Sequence, residues 1–278
     1  MRVIVTRPER DAPEWVQGLR DAGLGVAQLP LIAIRPVMDG AALFSAWQNL
    51  RNYAAVMFVS GNAVEQFFLS KPKGAPIAID FVATKTRVWA TGPGTARAVL
   101  EAGVDAGLLD APPMDAGQFD SEALWAVVRG SVKPGDSILI VRGADSLVPG
   151  VQATVNAAVK AAGAVATGMG RDWLAARLTE AGAQVDFVVA YQRCVPAFSE
   201  ADRRLARTAA VDGSVWLLSS SEAVANLSVL MPGQSWNLAR AVATHSRIAE
   251  RARQLGFGVV CESRPVLPSV VASIESIG

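Results

Sequence analysis

The stretch AVMFVSGNAVEQFFL, residues 55–69, decides the fold class. Ala55–Ser60 is a short apolar run of the kind that forms a buried strand, and Asn62–Leu69 carries apolar residues at helical spacing. Between them sits the small polar turn Ser60-Gly61-Asn62-Ala63. The same unit returns at Val88–Thr91, where Thr91-Gly92-Pro93-Gly94-Thr95 leads into a helical pattern over Gly94–Ala102. Upstream, Val3–Thr6 reads as a buried strand; Trp15, Leu19 and Ala22 then recur at helical spacing, and Gly23 supplies the stop. Val26–Ile34 reads as one further strand, closed by Pro36. More strands are expected at Ala106–Asp110, Ser137–Arg142, Val185–Tyr191, Val215–Ser219, Ala241–Thr244 and Val259–Glu262. Such alternation argues for an α/β fold with parallel sheets flanked by helices. About ten strands exceed one open sheet of five or six, so two sheets are expected.

Length agrees, because 278 residues correspond to roughly two domains of about 150. Apolar residues make up 51% and charged residues 18%, a core-forming composition that excludes a disordered chain. With 26 basic and 25 acidic residues the net charge is +1, so bulk electrostatics gives no argument for nucleic acid or membrane binding. Of the basic residues 21 are Arg and 5 are Lys, which reflects either genomic composition or a use for forked donors that grip carboxylates and phosphates. Two cysteines, Cys194 and Cys261, and one histidine, His245, are too few for a disulfide framework or a zinc site. No metal is therefore expected. No apolar run approaches the ~20 residues of a membrane span, and MRVIVTRPERD does not read as a signal peptide. A cytoplasmic protein is expected.

Residues 146–170, SLVPGVQATVNAAVKAAGAVATGMG, stand apart, with Lys160 as their one charge. Val151, Val155, Val159 and Ala162 fall on one helical face, so an inserted helix is expected before the helix that begins near Asp172. It serves either as loosely anchored decoration or as a lid.

In doubly wound sheets ligands bind at the carboxyl ends of strands, where helix N-termini offer N–H groups to anions. Five strand ends here carry small polar turns: Thr6-Arg7-Pro8, Ser60-Gly61-Asn62, Thr91 to Thr95, Ser219-Ser220-Ser221-Glu222 and Thr244-His245-Ser246. Each taken singly is an ordinary helix cap; five together suggest an array of anion sites. Gly92-x-Gly94 lacks the third glycine of a dinucleotide fingerprint, Arg97 standing there, and no phosphate-binding P-loop motif occurs. His245 reads as a cap or packing group rather than a catalyst. Tyr191, one of two tyrosines, ends a strand, and its hydroxyl either faces a cleft or packs.

The ordered set VIVTRP (3–8), VMFVSGNAV (56–64), WATGPGTARAV (89–99), ILIVRG (138–143), VDFVVAYQR (185–193), WLLSSSEAVANL (216–227) and VATHSRIAERARQLGF (242–257) resembles the uroporphyrinogen-III synthase family across nearly the whole chain. Ser246 departs from it, standing where Pro often follows the Thr-His pair. The resemblance implies two open parallel-sheet α/β domains of flavodoxin-like type, joined by a two-stranded hinge, one of them discontinuous. Residues 1–35 with 195–278 would form that discontinuous domain and 36–194 the inserted one. The first strand and the last three would then share a sheet.

By the same resemblance the substrate is hydroxymethylbilane, a linear tetrapyrrole with eight carboxylates. Its terminal hydroxyl leaves as water, ring D inverts through a spiro intermediate, and the macrocycle closes to uroporphyrinogen III without metal or cofactor. Carried over by position, Tyr191 matches the family's interdomain tyrosine, the candidate to assist loss of the hydroxyl; a phenol at neutral pH acts as a hydrogen-bond donor rather than a strong acid. Arg7, Ser60, Gly61, Asn62, Gly92, Thr95, Ser219, Ser221 and Thr244 are the candidate substrate-binding residues, with Arg142 and Arg193 as further possibilities. The resemblance implies a monomer, with substrate handed over by the preceding enzyme. Two other classes remain open at this stage: a two-lobed module that binds or senses an anionic small molecule without catalysis, and a nucleotide-sugar enzyme.

Overall fold

The computed structural model describes residues 1–72, 81, 84–113, 119–144 and 169–278. The expected insertion at 146–170 lies outside these residues up to position 168. The chain divides into two compact units, residues 1–34 with 193–278, and residues 35–192.

The first unit is built on β1 (Arg2–Val5), β2 (Gly25–Gln28), β9 (Val215–Leu218), β10 (Arg240–Ala243) and β11 (Val259–Glu262). They form a five-stranded sheet in the order β11-β10-β9-β1-β2, so the first strand and the last three share it. Every adjacent pair is parallel, with Ile4 opposite Trp216 and Val242 opposite both Leu217 and Cys261. Counted within the unit this is the doubly wound order 2-1-3-4-5, whose direction of winding reverses between β1 and β9. Side chains alternate across the sheet. Ile4, Trp216, Leu218 and Ala241 pack with Ala206, Leu227 and Ala249 of helices α7 (Glu200–Ala209), α8 (Ser221–Leu230) and α9 (Ser246–Leu255). Val3, Val5, Val215 and Leu217 pack on the other face with α1 (Pro13–Asp21) and α10 (Leu267–Ile277), through Val16, Leu19, Val270 and Ile274. Burial on both faces is why these strands read as unbroken apolar runs.

Local signals fix the helix ends. Ser199 and Asp202 form a reciprocal capping box at the start of α7, each side chain accepting the other's backbone N–H. Gly256 closes α9 at φ +98°, a left-handed position that glycine alone adopts without strain.

The second unit carries β3 (Ala33–Pro36), β4 (Ala55–Phe58), β5 (Arg87–Ala90), β6 (Leu109–Asp110), β7 (Ser137–Ala144) and β8 (Gln184–Cys194) in the order β3-β8-β7-β4-β5-β6. Both unit boundaries fall inside strands, between Ile34 and Arg35 in β3 and between Gln192 and Arg193 in β8. From β4 the chain steps outward to β5 and β6, then returns to place β7 and β8 on the other side, so the reversal lies between β4 and β7. One face holds Met57, Trp89, Ile138 and Ile140 against Leu124 and Val128 of α5 (Ser121–Val128) and Leu174 and Leu178 of α6 (Met169–Glu180). Helices α2 (Ala41–Gln48) and α3 (Gly61–Leu69) bring Trp47 and Phe67 into a stack with ring centroids 4.4 Å apart, and Phe58 of β4 meets Phe67 edge-on at 5.4 Å. A further helix, α4 (Pro93–Glu101), follows β5.

Two expected elements differ. Val26–Ile34 is not one strand: β2 ends at Gln28 and β3 begins at Ala33, in different sheets. The intervening Leu29 and Leu31 N–H groups donate to the Val5 and Thr6 carbonyls, while Pro30 has no N–H to continue a ladder. The Ala106–Asp110 strand shrinks to two residues because the Asp105 carboxylate accepts the Gly107 N–H at 2.7 Å and winds Ala106–Leu108 into a 3-10 turn. Short as it is, β6 is held by Arg87, whose Nε and Nη2 both reach the Asp110 carboxylate while Nη1 donates to the Gly107 carbonyl at 2.7 Å.

Candidate functional site

In each unit the candidate residues gather at the carboxyl ends of the strands, around the point where the winding reverses. In the second unit Ser60 follows β4 and caps α3: its backbone is extended, and its Oγ accepts the Ala63 N–H at 3.2 Å. Gly61 and Asn62 form the first turn of α3, whose leading N–H groups have no partner within the helix. Asn62 is buried. Beside this end, Gly92 caps α4 with Pro93 at its first position and Thr95, also buried, within its first turn. Thr91 Oγ1 donates to the Val59 carbonyl at 3.4 Å and ties the two turns together.

Tyr191 arrives from two strands away. β7 and β8 stay in register from Ser137 opposite Gln184 to Arg142 opposite Val189, and the next pair is Gly143 opposite Tyr191. β8 therefore carries one extra residue, Ala190. A regular strand would project Tyr191 on the same face as Val189; the bulge turns it to the face of Gly143. The end of its ring packs against Gly143, and its Oη reaches Ser60 Oγ at 3.1 Å. Tyr191 is 5% exposed, and Ser60 is half-buried. The other tyrosine, Tyr53, donates to Asp186 Oδ2 at 3.2 Å. Burial first, then the Asp186 charge and hydrogen bond, push its pKa up to about 12. A phenol anchored to a carboxylate in this way is a structural group.

In the first unit Thr6 Oγ1 donates to the Leu217 carbonyl at 2.6 Å, locking the end of β1 to β9. Arg7 follows, its guanidinium 4.4 Å from the centroid of the Trp15 ring. Its Nε is buried without an acceptor among the described residues. Burial lowers the Arg7 pKa from its ordinary value, against the opposing pull of Asp11 and Glu14. Past β9, Ser219 and Ser221 flank Ser220, and it is Ser220 whose Oγ accepts the Ala223 N–H at 3.4 Å. Thr244 lies alongside, its N–H donating to the Leu218 carbonyl at 3.1 Å. His245 caps α9 through Nδ1, which accepts the Arg247 N–H at 3.1 Å.

Of the further arginine candidates, Arg193 is paired, while Arg142 Nε, like that of Arg7, is buried without an acceptor among the described residues. Arg193 pairs with Glu222 at 3.2 Å in the first turn of α8, and Arg142 lies 4.9 Å from the centroid of the Phe187 ring, on the face away from Tyr191. Among the described residues no group of three or more His, Cys, Asp or Glu could hold a metal ion, and no helix is long and apolar enough to cross a membrane. Among the described residues each unit offers neutral donors, hydroxyls and helix-end N–H groups, and the first adds the desolvated Arg7. Such an arrangement suits carboxylates.

Sequence reading missed three features. Ser220 is hidden in a run of three serines, where composition cannot say which one caps. Asn226 donates to the Leu31 carbonyl at 2.8 Å, tying α8 to the segment after β2, and nothing in its neighbourhood signals this. Gly143 did carry a signal: a lone glycine in the strand pattern ILIVRG marks a bulge or a close approach.

The family model described as uroporphyrinogen-III synthase HemD matches residues 13–164 and 145–272. A uroporphyrinogen-III synthase of Chlorobaculum parvum is 32% identical over 147 residues, which are 52% of this chain and 54% of that protein. A porphyrin biosynthesis protein HemD of Ruminiclostridium josui is 29% identical over 104 residues, 37% of this chain and 20% of its own length. The chain thus spans about half or less of these curated relatives. The crystal structure of uroporphyrinogen-III synthetase from Helicobacter pylori 26695 aligns over 100% of both chains with a TM-score of 0.57 at 13% identity, a likeness of fold. With the family model matching both units, the chain belongs to the uroporphyrinogen-III synthase HemD family.

Proposed function

We propose that the protein is a cyclising hydro-lyase, a uroporphyrinogen-III synthase. It takes hydroxymethylbilane, removes the terminal hydroxyl as water, inverts ring D and closes the ring. The observation that carries this is the Ser60–Tyr191 hydroxyl pair at 3.1 Å, set at the winding reversal of a unit that belongs to this family.

Ser60 Oγ already accepts the Ala63 N–H. Its own proton can therefore go to Tyr191 Oη, which leaves the phenolic proton directed outward. In that state Tyr191 donates to the hydroxyl of the substrate. As the C–O bond breaks, the proton moves onto the departing oxygen and water leaves. The Ser60 hydrogen bond then offsets the negative charge growing on Tyr191 Oη. The electron pair needed to expel the hydroxyl comes from the pyrrole nitrogen of the substrate, so no cofactor enters the balance.

The remaining candidates bind. Helix-end N–H groups at Gly61, Asn62 and Ser221, the turns at Gly92, Thr95 and Ser219, and the hydroxyl of Thr244 receive substrate carboxylates. Arg7 supplies a positive charge. Because closure without inversion is spontaneous, the protein's task is to hold the folded chain with ring D poised. We place this activity in the cytoplasm, in a monomer supplied by the preceding enzyme. The direct test is incubation with enzymatically generated hydroxymethylbilane and separation of the products. Type III isomer above the uncatalysed background supports the assignment, and type I alone refutes it.

A further inference from the structure

We propose that Gly143 and the Ala190 bulge form a slot that aims Tyr191, making Gly143 a positioning residue for the reaction. The claim rests on the synthase reading above and deepens it.

Gly143 has no backbone need to be glycine, since its φ lies outside the left-handed region. Space is what demands it. A Cβ at this position would lie 2.4 Å from Tyr191 Cζ, 2.5 Å from Cε2 and 2.9 Å from Oη. All three atoms belong to the reacting end of the ring, so it is the phenol that must shift to admit a Cβ. The ring crosses β7 at this one position, because β8, β7 and β4 are successive neighbours in the sheet and Ser60 follows β4. Any larger residue at 143 lifts the phenol off the sheet and away from Ser60. The bulge supplies the other half of the device, since without Ala190 in excess Tyr191 would project from the opposite face, with Arg142.

The test is Gly143→Ala in the full chain, read three ways. Tyrosine labelled with carbon-13 at Cζ gives two resonances, because the protein has two tyrosines. The Tyr191 signal is expected to move while that of Tyr53 stays. The rate of type III formation is expected to fall by about 10²-fold, the cost of a misplaced reacting group, with KM nearly unchanged. In a Tyr191→Phe background the same alanine is expected to add almost nothing, since the hydroxyl it displaces is gone. A role in stability alone would instead multiply the losses.

Full type III activity in a folded Gly143→Ala variant overturns the proposal, as does a loss that multiplies in the Phe background. If Gly143→Ala does not fold, the pair Gly143→Ala with Tyr191→Ala decides: recovered folding supports the slot, and continued unfolding overturns it. A parent protein that makes no type III isomer overturns the synthase reading instead. That result differs from a parent that makes it while Gly143→Ala keeps pace, which removes Gly143 alone.

Discussion

Ser60 Oγ lies 3.1 Å from Tyr191 Oη across 131 positions of sequence, and the same Ser60 oxygen accepts the N–H of Ala63. One side chain thus caps a helix and tethers the phenol. Ser60→Ala is expected to act twice. Loss of the cap costs about 1 kcal/mol, a fall in Tm of roughly 2–4 °C. Loss of the tether lowers the type III rate by about tenfold or more. Ser60→Thr keeps the oxygen and is expected to recover most of both. A rate that falls only in proportion to stability would reduce Ser60 to its cap.

Arg7 stacks on Trp15 with a buried Nε, and burial has already weakened its hold on its proton. A cation in this state gains from an incoming carboxylate. Arg7→Ala is expected to raise KM by roughly tenfold while changing kcat little, as for a charged hydrogen bond made equally in ground and transition states. Steady-state kinetics checks the split; a loss confined to kcat would contradict a binding role.

The strand–helix alternation around residues 55–102 was legible because a four-residue strand buried on both faces leaves an unbroken apolar run followed by a small polar turn. The break between β2 and β3 was not, since the chain stays extended and apolar through Leu29 and Leu31 while its hydrogen bonds change partner. At the candidate site the turn residues announced themselves, and His245 as a cap was readable from its place after a strand. Tyr191's aim was not readable, because it depends on one extra residue in β8 relative to β7, a relation between strands that neither strand records alone.

Asp212 carries a pH dependence of stability. Burial works to raise its pKa, but the Ser214 side-chain and backbone hydrogen bonds and the Arg2 charge outweigh it, so the folded-state value is lowered. A carboxylate depressed on folding contributes stability that is present above its unfolded pKa of about 3.9 and is lost as pH falls through the folded value. Asp212→Asn is therefore expected to lower Tm slightly at pH 7, by about 2 °C or less for so exposed a pair. Below the folded value the difference between variant and parent is expected to vanish. A gap that persists there would assign the effect to something other than the charge.

Gly256 at φ +98° tests stability apart from chemistry. Gly256→Ala forces a Cβ into the left-handed region at a cost of about 1 kcal/mol, or roughly 2–4 °C in Tm. The isomer ratio is expected to stay at the parent value. A shift toward type I in this variant would mean that isomer choice follows global stability.

The most direct measurement is the ratio of type III to type I product, alongside Tm, for Tyr191→Phe and Tyr191→Ala. Phe keeps the ring in its slot over Gly143 and removes the hydroxyl that meets Ser60. The expected result for Phe is a type III rate lower by roughly 10²-fold, substrate affinity nearly unchanged, and a mixture moved toward type I at parental Tm. Ala loses the hydroxyl and the packing together, so its Tm falls as well. Full type III synthesis by a stably folded Tyr191→Phe protein would contradict the account.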